Sequence, residues 1–310
     1  MINILFAAAT ERWDQYQGPL KKELDLKGID YKLAKKLPAS EVDYIIYAPN
    51  SSIKDFSVFT NLKAVLNLWA GVEDVVKNKT LKVPLARMVD KGLTQGMKEW
   101  VLGHVMRHHL GIDLHIFGQD GQWRDWSTPL LASERAITIL GLGALGAECA
   151  NTLAKIGFKV RGWSLTKKSI DNVACYHGFD GLEKSLFGSE IVVLLLPSTT
   201  DTENIINQKT ISFLSKNAII INPGRGTLID EKALLKSLDD GKIAHATLDV
   251  FRQEPLPADH LFWRHPKITV TPHIASETKP STASQVIATN IDRFEKGKPL
   301  LYQVNFDAGY

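Results

Sequence analysis

The stretch Ala136-Ile-Thr-Ile-Leu-Gly141-Leu-Gly143-Ala-Leu-Gly146 joins a short apolar run to a glycine-rich turn. A run of helical period at 145–156 follows it, and after Gly157 a second apolar run occupies 158–163. An apolar strand before the glycines and a helix after them form the context in which G-x-G-x-x-G binds a dinucleotide. Residues 136–164 are therefore predicted to be a βαβ unit that binds a nicotinamide dinucleotide, rather than a glycine turn without a ligand.

Each glycine of this motif has a separate predicted task. Gly141 permits the tight turn, Gly143 lets the backbone approach a pyrophosphate, and Gly146 lets the helix pack closely on the strand. The N–H groups at the start of the helix, at Ala144 and Leu145, would then bind the anion.

The end of the second strand bears on the choice between NADP and NAD. The chain there reads Trp163-Ser164-Leu-Thr166-Lys167-Lys168, and the first acidic residue after it is Asp171. NAD-binding units ordinarily place a carboxylate at this point to accept hydrogen bonds from the ribose hydroxyls. Hydroxyl groups beside lysines suit a 2′-phosphate instead. NADP is favoured, and NAD stays possible if the two lysines belong to a solvated loop.

Short apolar runs that alternate with helical segments predict the fold class. Strands this apolar are covered on both faces, as in parallel sheets with crossover helices. One long helix at 96–117 and another at 281–296 flank the block with the glycine motif. We expect an α/β chain in which a Rossmann-type doubly wound domain, 96–275, binds NAD(P) and is inserted into a smaller flavodoxin-like, substrate-binding domain, 1–95 plus 276–310. The predicted strands are 2–7, 44–48, 64–68, 84–86, 136–140, 158–163, 191–196, 218–221 and 243–248.

Composition excludes several function classes. The 310 residues carry 37 basic and 34 acidic side chains without a dense Lys/Arg block, so nucleic acid is not an expected partner. No apolar run approaches the ~20 residues that cross a bilayer. Cys149 and Cys175 lack a CxxC spacing and fit a reducing cytoplasm. His104 and His108 lie four apart but lack the glutamate of HExxH, so no metal site is predicted.

Three further segments place one strong polar group each at the predicted end of a strand: Asn222-Pro-Gly-Arg225-Gly, the run 248–257 with Glu254, and Thr271-Pro-His273. Parallel strands end at one edge, where ligands bind. A guanidinium can hold a carboxylate, an imidazolium can protonate an alkoxide, and a carboxylate can orient that imidazole. The set predicts hydride transfer to a ketone, although each residue alone could serve a structural role.

Together these motifs resemble the D-isomer-specific 2-hydroxyacid dehydrogenase family. The resemblance implies that Arg225 holds the substrate, that His273 donates the proton and that Glu254 is its partner. It also implies a small-molecule 2-oxoacid substrate and a homodimer. Asp249 would face the nicotinamide carboxamide, and the remaining predicted cofactor contacts are Leu196, Pro197, Thr202, Asn222, Pro223 and Ala275.

The first half of the chain adds a candidate substrate loop. Trp69-Ala70-Gly71-Val72-Glu73 is similar to the family loop whose N–H groups receive the substrate carboxylate, and Met97-Lys-Glu99 is similar to its interdomain helix. Trp69 stands where the family more often has a small residue. Arg87, just after the short strand 84–86, is a further candidate for binding a carboxylate.

Within the family, Trp163-Ser-x-Thr166, Leu195-Leu-Pro197 and the stretch 307–310 are similar to bacterial glyoxylate/hydroxypyruvate reductases of the A type. Those reductases commonly carry arginine where this chain has Leu165, which leaves Lys167 or Lys168 to compensate. The resemblance implies NADPH-dependent reduction of glyoxylate to glycolate and of hydroxypyruvate to glycerate. The alternatives are another, NAD-linked D-2-hydroxyacid specificity and a non-catalytic dinucleotide-sensing protein.

Overall fold

The computed structural model describes residues 1–309, and Tyr310, which ends the quoted stretch 307–310, lies outside them. The chain divides into two compact units, residues 1–93 with 277–310 and residues 94–276. In chain order the elements are β1 (Ile2–Ala7), α1 (Arg12–Leu26), β2 (Tyr31–Ala34), β3 (Tyr44–Tyr47), β4 (Ala64–Asn67), β5 (Leu85–Ala86), α2 (Lys91–His109), α3 (Ile112–Phe117), β6 (Ala136–Leu140), α4 (Ala144–Ile156), β7 (Lys159–Ser164), β8 (Ala174–His177), α5 (Gly178–Leu186), β9 (Ile191–Leu194), α6 (Gln208–Phe213), β10 (Ala218–Asn222), α7 (Glu231–Asp239), β11 (Ile243–Leu248), β12 (Ile268–Val270) and α8 (Pro280–Glu295).

The first unit is built on a five-stranded sheet in the order β2-β1-β3-β4-β5, and all of its pairs are parallel. This is the strand order of flavodoxin-like folds. Helices α1 and α8 pack together, and their apolar residues, such as Leu20 and Ile287, share a core with Ile4 and Phe6 of β1. Leu5, which lies between Ile4 and Phe6, belongs to the core on the other face of the sheet, because successive side chains of a strand alternate between the two faces.

The second unit is built on a seven-stranded parallel sheet in the order β12-β11-β10-β9-β6-β7-β8. Read from β8, this is the Rossmann order with one additional strand, and the order reverses between β6 and β9. Both faces are covered: Ile219 and Ile221 pack in one core with α2 and α4, while Ile220 packs in the other with α7. The predicted fold class is confirmed.

The structure differs from the predicted elements in two respects. The single helix predicted at 96–117 is wrong, since α2 already begins at Lys91 and ends at His109, and Gly111, at φ 63°, separates it from α3. Two strands, β2 and β8, were not predicted, and β12 was implied only by the strand end placed before Thr271; all three lie at sheet edges. Their side chains are partly exposed and lack the continuous apolar run of the central strands.

Helix length and apolarity also bear on membrane insertion. From residue 1 to 309, no helix has the length and apolarity that a membrane span requires.

Candidate active site

The glycine turn after β6 is shaped by two close backbone approaches. Gly141 lies at φ 105°, and a Cβ there would come 2.5 Å from the carbonyl oxygen of Leu195. A Cβ at Gly146 would lie 1.7 Å from the carbonyl oxygen of Gly141, so only glycine lets α4 start this close to the strand. A Cβ at Gly143, by contrast, would meet nothing within 4 Å. The turn therefore has no space for a side chain at Gly141 or Gly146, whereas the surface beside Gly143 is open.

This open side is the first turn of α4. No side chain caps the helix, whose N-cap residue is Gly143. The first N–H groups of a helix, here from Ala144 onward, have no acceptor within the helix and carry the positive end of its dipole. Bare N–H groups beside an uncovered glycine fit the pyrophosphate of a dinucleotide. Gly157, at φ 109°, ends α4 as the sequence predicts.

The predicted specificity loop follows β7. Ser164 is buried and its hydroxyl donates to the carbonyl oxygen of Thr166 at 2.8 Å, which closes a tight turn. Leu165, Thr166, Lys167 and Lys168 are exposed. The loop thus presents ammonium groups and no carboxylate between 164 and 168, a surface that accepts a phosphate more readily than a ribose hydroxyl pair.

The loop after β9 holds three predicted cofactor contacts. The Thr202 hydroxyl donates to the carbonyl oxygen of Pro197 at 2.7 Å and accepts from the N–H of Thr199 at 2.9 Å. Thr202 is buried, so its hydroxyl stabilises the loop from within. Leu196 is buried in the core of the second unit.

The turn that carries Arg225 is held by the side chain of Asn222, the last residue of β10. Asn222 is fully buried; its Nδ2 donates to the Arg225 carbonyl oxygen at 2.9 Å, and its Oδ1 accepts from the Gly224 N–H at 3.1 Å across Pro223. A Cβ at Gly226 would lie 2.0 Å from the carbonyl carbon of Phe251. Glycine at 226 therefore brings the Arg225 turn against the segment that contains Glu254.

Glu254 and His273 form an ion pair. His273 Nδ1 lies 2.7 Å from Glu254 Oε2, and the other carboxylate oxygen accepts from the Phe251 N–H at 2.8 Å. An ionised carboxylate only accepts, so Nδ1 carries the proton and Nε2 is the nitrogen left for a substrate. His273 is half exposed, its side chain 51% accessible, and its backbone lies at φ 54° in the left-handed region.

The charges of this pair favour protonated histidine. The hydrogen bond to Glu254 raises the pKa of His273, and burial opposes this only in part. Burial disfavours the charged form of Glu254, but the hydrogen bonds from His273 and Phe251 outweigh it and leave the Glu254 pKa lowered. The positive charge of Arg225 lowers the pKa of both groups, so at His273 it partly opposes the effect of Glu254. The imidazolium is thus held ready to give up a proton.

Asp249 fixes the segment that carries His273. It is fully buried, and its carboxylate accepts from the Thr271 hydroxyl at 2.6 Å and from the N–H groups of Ile274 and Ala275 at 2.9 Å each. Its carbonyl oxygen accepts the His273 N–H at 2.8 Å. Asp249 binds the histidine loop itself, a role that the resemblance did not imply, and Ala275 contributes its backbone N–H to this arrangement.

The predicted substrate loop belongs to the first unit. Trp69 is exposed, Ala70 and Gly71 are partly exposed, and Val72 packs in the core. Arg87 follows β5; its N–H donates to the Tyr302 carbonyl oxygen at 3.0 Å, and burial lowers the pKa of its guanidinium.

Some functional contacts were not apparent from the sequence. The Thr271 hydroxyl binds Asp249, and the Phe251 N–H binds Glu254. No sequence pattern identifies either contact, because one donor is an ordinary threonine before a proline and the other is a backbone group. His108 lies 2.9 Å from the Thr247 hydroxyl through its Nε2 and is partly buried. In the part of the chain that the structure describes, no group of three or more His, Cys, Asp or Glu could hold a metal ion.

Comparison with known proteins finds relatives along the whole chain. Residues 101–275 match the family described as D-isomer specific 2-hydroxyacid dehydrogenase, NAD binding domain. The chain is 39% identical over 256 residues to glyoxylate/hydroxypyruvate reductase A of Yersinia enterocolitica, covering 80% of this chain and 82% of that one. It is 40% identical over 260 residues to the protein of the same name from Photorhabdus laumondii, covering 81% and 82%.

Two solved structures are similar over nearly their full length. A D-isomer specific 2-hydroxyacid dehydrogenase of Xanthobacter autotrophicus Py2, in complex with NADPH and MES, has a TM-score of 0.92 at 38% identity and covers 99% of both chains. An NADPH-dependent glyoxylate/hydroxypyruvate reductase of Sinorhizobium meliloti, in complex with NADP and sulfate, has a TM-score of 0.87 at 33% identity and covers 100% of both.

Proposed function

The chain belongs to the D-isomer specific 2-hydroxyacid dehydrogenase family, and on that premise we propose that it is an NADPH-dependent reductase of small 2-oxoacids. The substrates are glyoxylate, reduced to glycolate, and hydroxypyruvate, reduced to glycerate, as the names of its relatives suggest. The observation that carries the proposal is the ion pair of His273 and Glu254. It experiences the positive charge of Arg225 and lies at the carboxyl ends of the strands of a Rossmann sheet, where ligands bind.

His273 acts as the general acid. Its Nε2 proton passes to the carbonyl oxygen of the substrate as that oxygen becomes a hydroxyl, and the Glu254 carboxylate stabilises the imidazolium and fixes its orientation. Arg225 binds the substrate carboxylate, for which its planar guanidinium is suited. NADPH supplies the hydride that reduces the carbonyl carbon. A 2-oxoacid, one hydride and one proton therefore give the 2-hydroxyacid.

The residues that would hold the cofactor fit NADPH. The open helix start at Gly143, Ala144 and Leu145 would bind the pyrophosphate. Ser164, Thr166 and Lys167 would receive the 2′-phosphate, supported by the lack of a carboxylate between 164 and 168. The other contacts proposed for the cofactor are Gly141, Gly146, Leu196, Pro197, Thr202, Asn222, Pro223, Asp249 and Ala275.

The two compact units divide the proposed tasks. Residues 94–276 bind the dinucleotide, while residues 1–93 with 277–310 supply a substrate loop at 69–72, with Arg87 as an additional carboxylate ligand. A homodimer is supported by large apolar side chains that the second unit leaves exposed, including Phe117, Trp123 and Trp126. The two free cysteines fit a cytoplasmic enzyme.

The test follows the absorbance of the reduced nicotinamide, with NADPH or NADH, against a panel of 2-oxoacids. We expect oxidation of NADPH with glyoxylate and hydroxypyruvate. Preference for NADH would indicate the NAD-linked alternative, and dinucleotide binding without oxidation by any 2-oxoacid would indicate a sensor protein.

Arg225→Ala tests the role of the guanidinium. Losing charged hydrogen bonds to the substrate carboxylate should lower kcat/KM by roughly 100-fold and raise KM. Steady-state kinetics equal to those of the unsubstituted enzyme would exclude Arg225 as the carboxylate ligand.

A further inference from the structure

Strand β4 ends in a buried polar residue that neither the motifs nor the proposed reaction uses. Asn67 follows Ala64, Val65 and Leu66, and only 1% of it is exposed. Its Nδ2 donates two hydrogen bonds, to the carbonyl oxygen of Trp69 at 2.8 Å and to that of Gly71 at 3.1 Å. One amide group thus holds two peptide groups of the loop 69–72.

The direction of those peptide groups follows from their planarity. In a trans peptide the carbonyl oxygen and the next residue's N–H point in opposite directions. Because Asn67 binds the carbonyl oxygens of Trp69 and Gly71, the N–H groups of Ala70 and Val72 are turned away from it. Neither N–H has an acceptor among residues 1–309.

Neighbouring bonds reinforce this arrangement. The Trp69 carbonyl oxygen also accepts from the Met88 N–H at 3.0 Å, and the Leu68 carbonyl oxygen accepts from the Thr278 hydroxyl at 3.0 Å. The second of these turns the Trp69 N–H outward by the same geometry. The loop therefore has its carbonyl oxygens tied back and its N–H groups available, which is the arrangement an anion requires.

The other end of the Asn67 side chain argues against a purely structural role. In the described part of the chain its Oδ1 is buried without a hydrogen-bond donor. A buried acceptor without a partner destabilises the fold, and an apolar residue of the same size would avoid that cost but would leave the two loop carbonyl oxygens without the Asn67 donor. What an apolar residue could not do is donate to two carbonyl oxygens.

We propose that Asn67 is a positioning residue that orients the N–H groups of the loop 69–72 toward the carboxylate of the substrate. This inference rests on the proposed function, since it needs that loop to bind a 2-oxoacid. Asn67 contacts only the loop backbone, so it acts through the Ala70 and Val72 N–H groups. Its loss should impair substrate binding and leave cofactor binding unchanged.

The test compares Asn67→Leu with Asn290→Leu. Asn290 lies in the same unit and is also buried, with 2% exposed. It too binds backbone, because its Nδ2 donates to the Leu301 carbonyl oxygen at 3.2 Å and its Oδ1 accepts from the Leu301 N–H at 2.7 Å. Leucine fills the space of asparagine in both variants. Thermal unfolding, the KM values of the 2-oxoacid and of NADPH, and calorimetric binding of oxalate, a non-reducible analogue, are measured for each.

We expect Asn67→Leu to raise the KM of the 2-oxoacid and the Kd of oxalate by roughly tenfold, while the KM of NADPH and the Tm change little. Asn290→Leu should lower the Tm and leave both substrate constants unchanged. Unaltered oxalate binding in a folded Asn67→Leu variant would overturn the positioning role while the proposed function stands. An unsubstituted enzyme that neither reduces 2-oxoacids nor binds oxalate would overturn both.

Discussion

Replacing Glu254 by glutamine should shift the pH dependence of the reaction. Two unit charges about 4 Å apart interact by about 1 kcal/mol in water and about 4 kcal/mol at an effective dielectric constant of 20. His273 lies 2.7 Å from the carboxylate but is half exposed, so solvent screening favours the lower part of that range. A loss of about 1.4 kcal/mol, or tenfold in the population of imidazolium, is expected.

The assay is kcat/KM for 2-oxoacid reduction as a function of pH. Reduction needs protonated His273, so activity falls as pH rises through the raised pKa of this histidine. In Glu254→Gln the fall should begin at lower pH, with about a tenfold loss on the alkaline side. Glutamine has one acceptor oxygen for two donors, His273 and the Phe251 N–H, which adds a loss that does not depend on pH. The position of the descending limb is therefore the decisive quantity.

Glu190→Gln is the matched control. Glu190 also accepts a hydrogen bond from a backbone N–H, that of Ala136 at 2.8 Å, and forms an ion pair with Arg135 at 3.3 Å. These contacts lie at the start of β6, at the amino-terminal ends of the strands and away from the candidate site. It should leave the pH profile unchanged. If Glu254→Gln keeps the descending limb of the unsubstituted enzyme, then Glu254 does not hold the proton on His273.

Two further predictions concern the cofactor and acid stability. A Cβ at Gly143 would meet nothing within 4 Å, so Gly143→Ala should lower the Tm only slightly while the Kd of NADPH rises by roughly tenfold; an unchanged Kd in a fluorescence titration would contradict the pyrophosphate site. Burial holds His108 and His245 neutral, with pKa values lowered to about 3 and about 4, so the unfolded chain binds more protons below pH 6.5. The free energy of unfolding should fall from pH 6.5 toward 4, by up to about 1.4 kcal/mol per pH unit for each histidine; a thermal denaturation series in which His245→Gln keeps the full slope would refute this.

Much of the fold follows from local patterns in the sequence. The central strands, such as β6 and β9, are buried on both faces, so their apolar runs stand out against the polar turns. The edge strands β2, β8 and β12 pair on one side only and carry mixed side chains, which no periodicity separates from loops. The break between α2 and α3 depends on one glycine, Gly111, in a stretch without proline.

The parallel topology of the sheet made the grouping of the candidate site residues predictable, but not their contacts. Because parallel strands end at one edge, Arg225, Glu254 and His273 could be grouped from their positions after successive strands. Their contacts could not be obtained in this way. The close approach of Gly226 to Phe251 is seen only in the structure. Topology alone also does not distinguish Glu254, which binds His273, from Asp249, which binds the loop that carries His273.

One arrangement recurs at the strand ends that carry the proposed substrate and catalytic groups. Asn67 ends β4, Asn222 ends β10 and Asp249 follows β11, and each is at most 1% exposed. Where a parallel strand ends, its ladder of hydrogen bonds ends too, and buried backbone groups need other partners. These side chains bind the backbone of the adjoining loops, so the reacting groups can remain exposed on loops that are fixed from beneath. A polar residue at the end of an apolar strand therefore predicts that its side chain hydrogen-bonds the backbone of the adjoining loop. The residues of that loop are the ones to test for function.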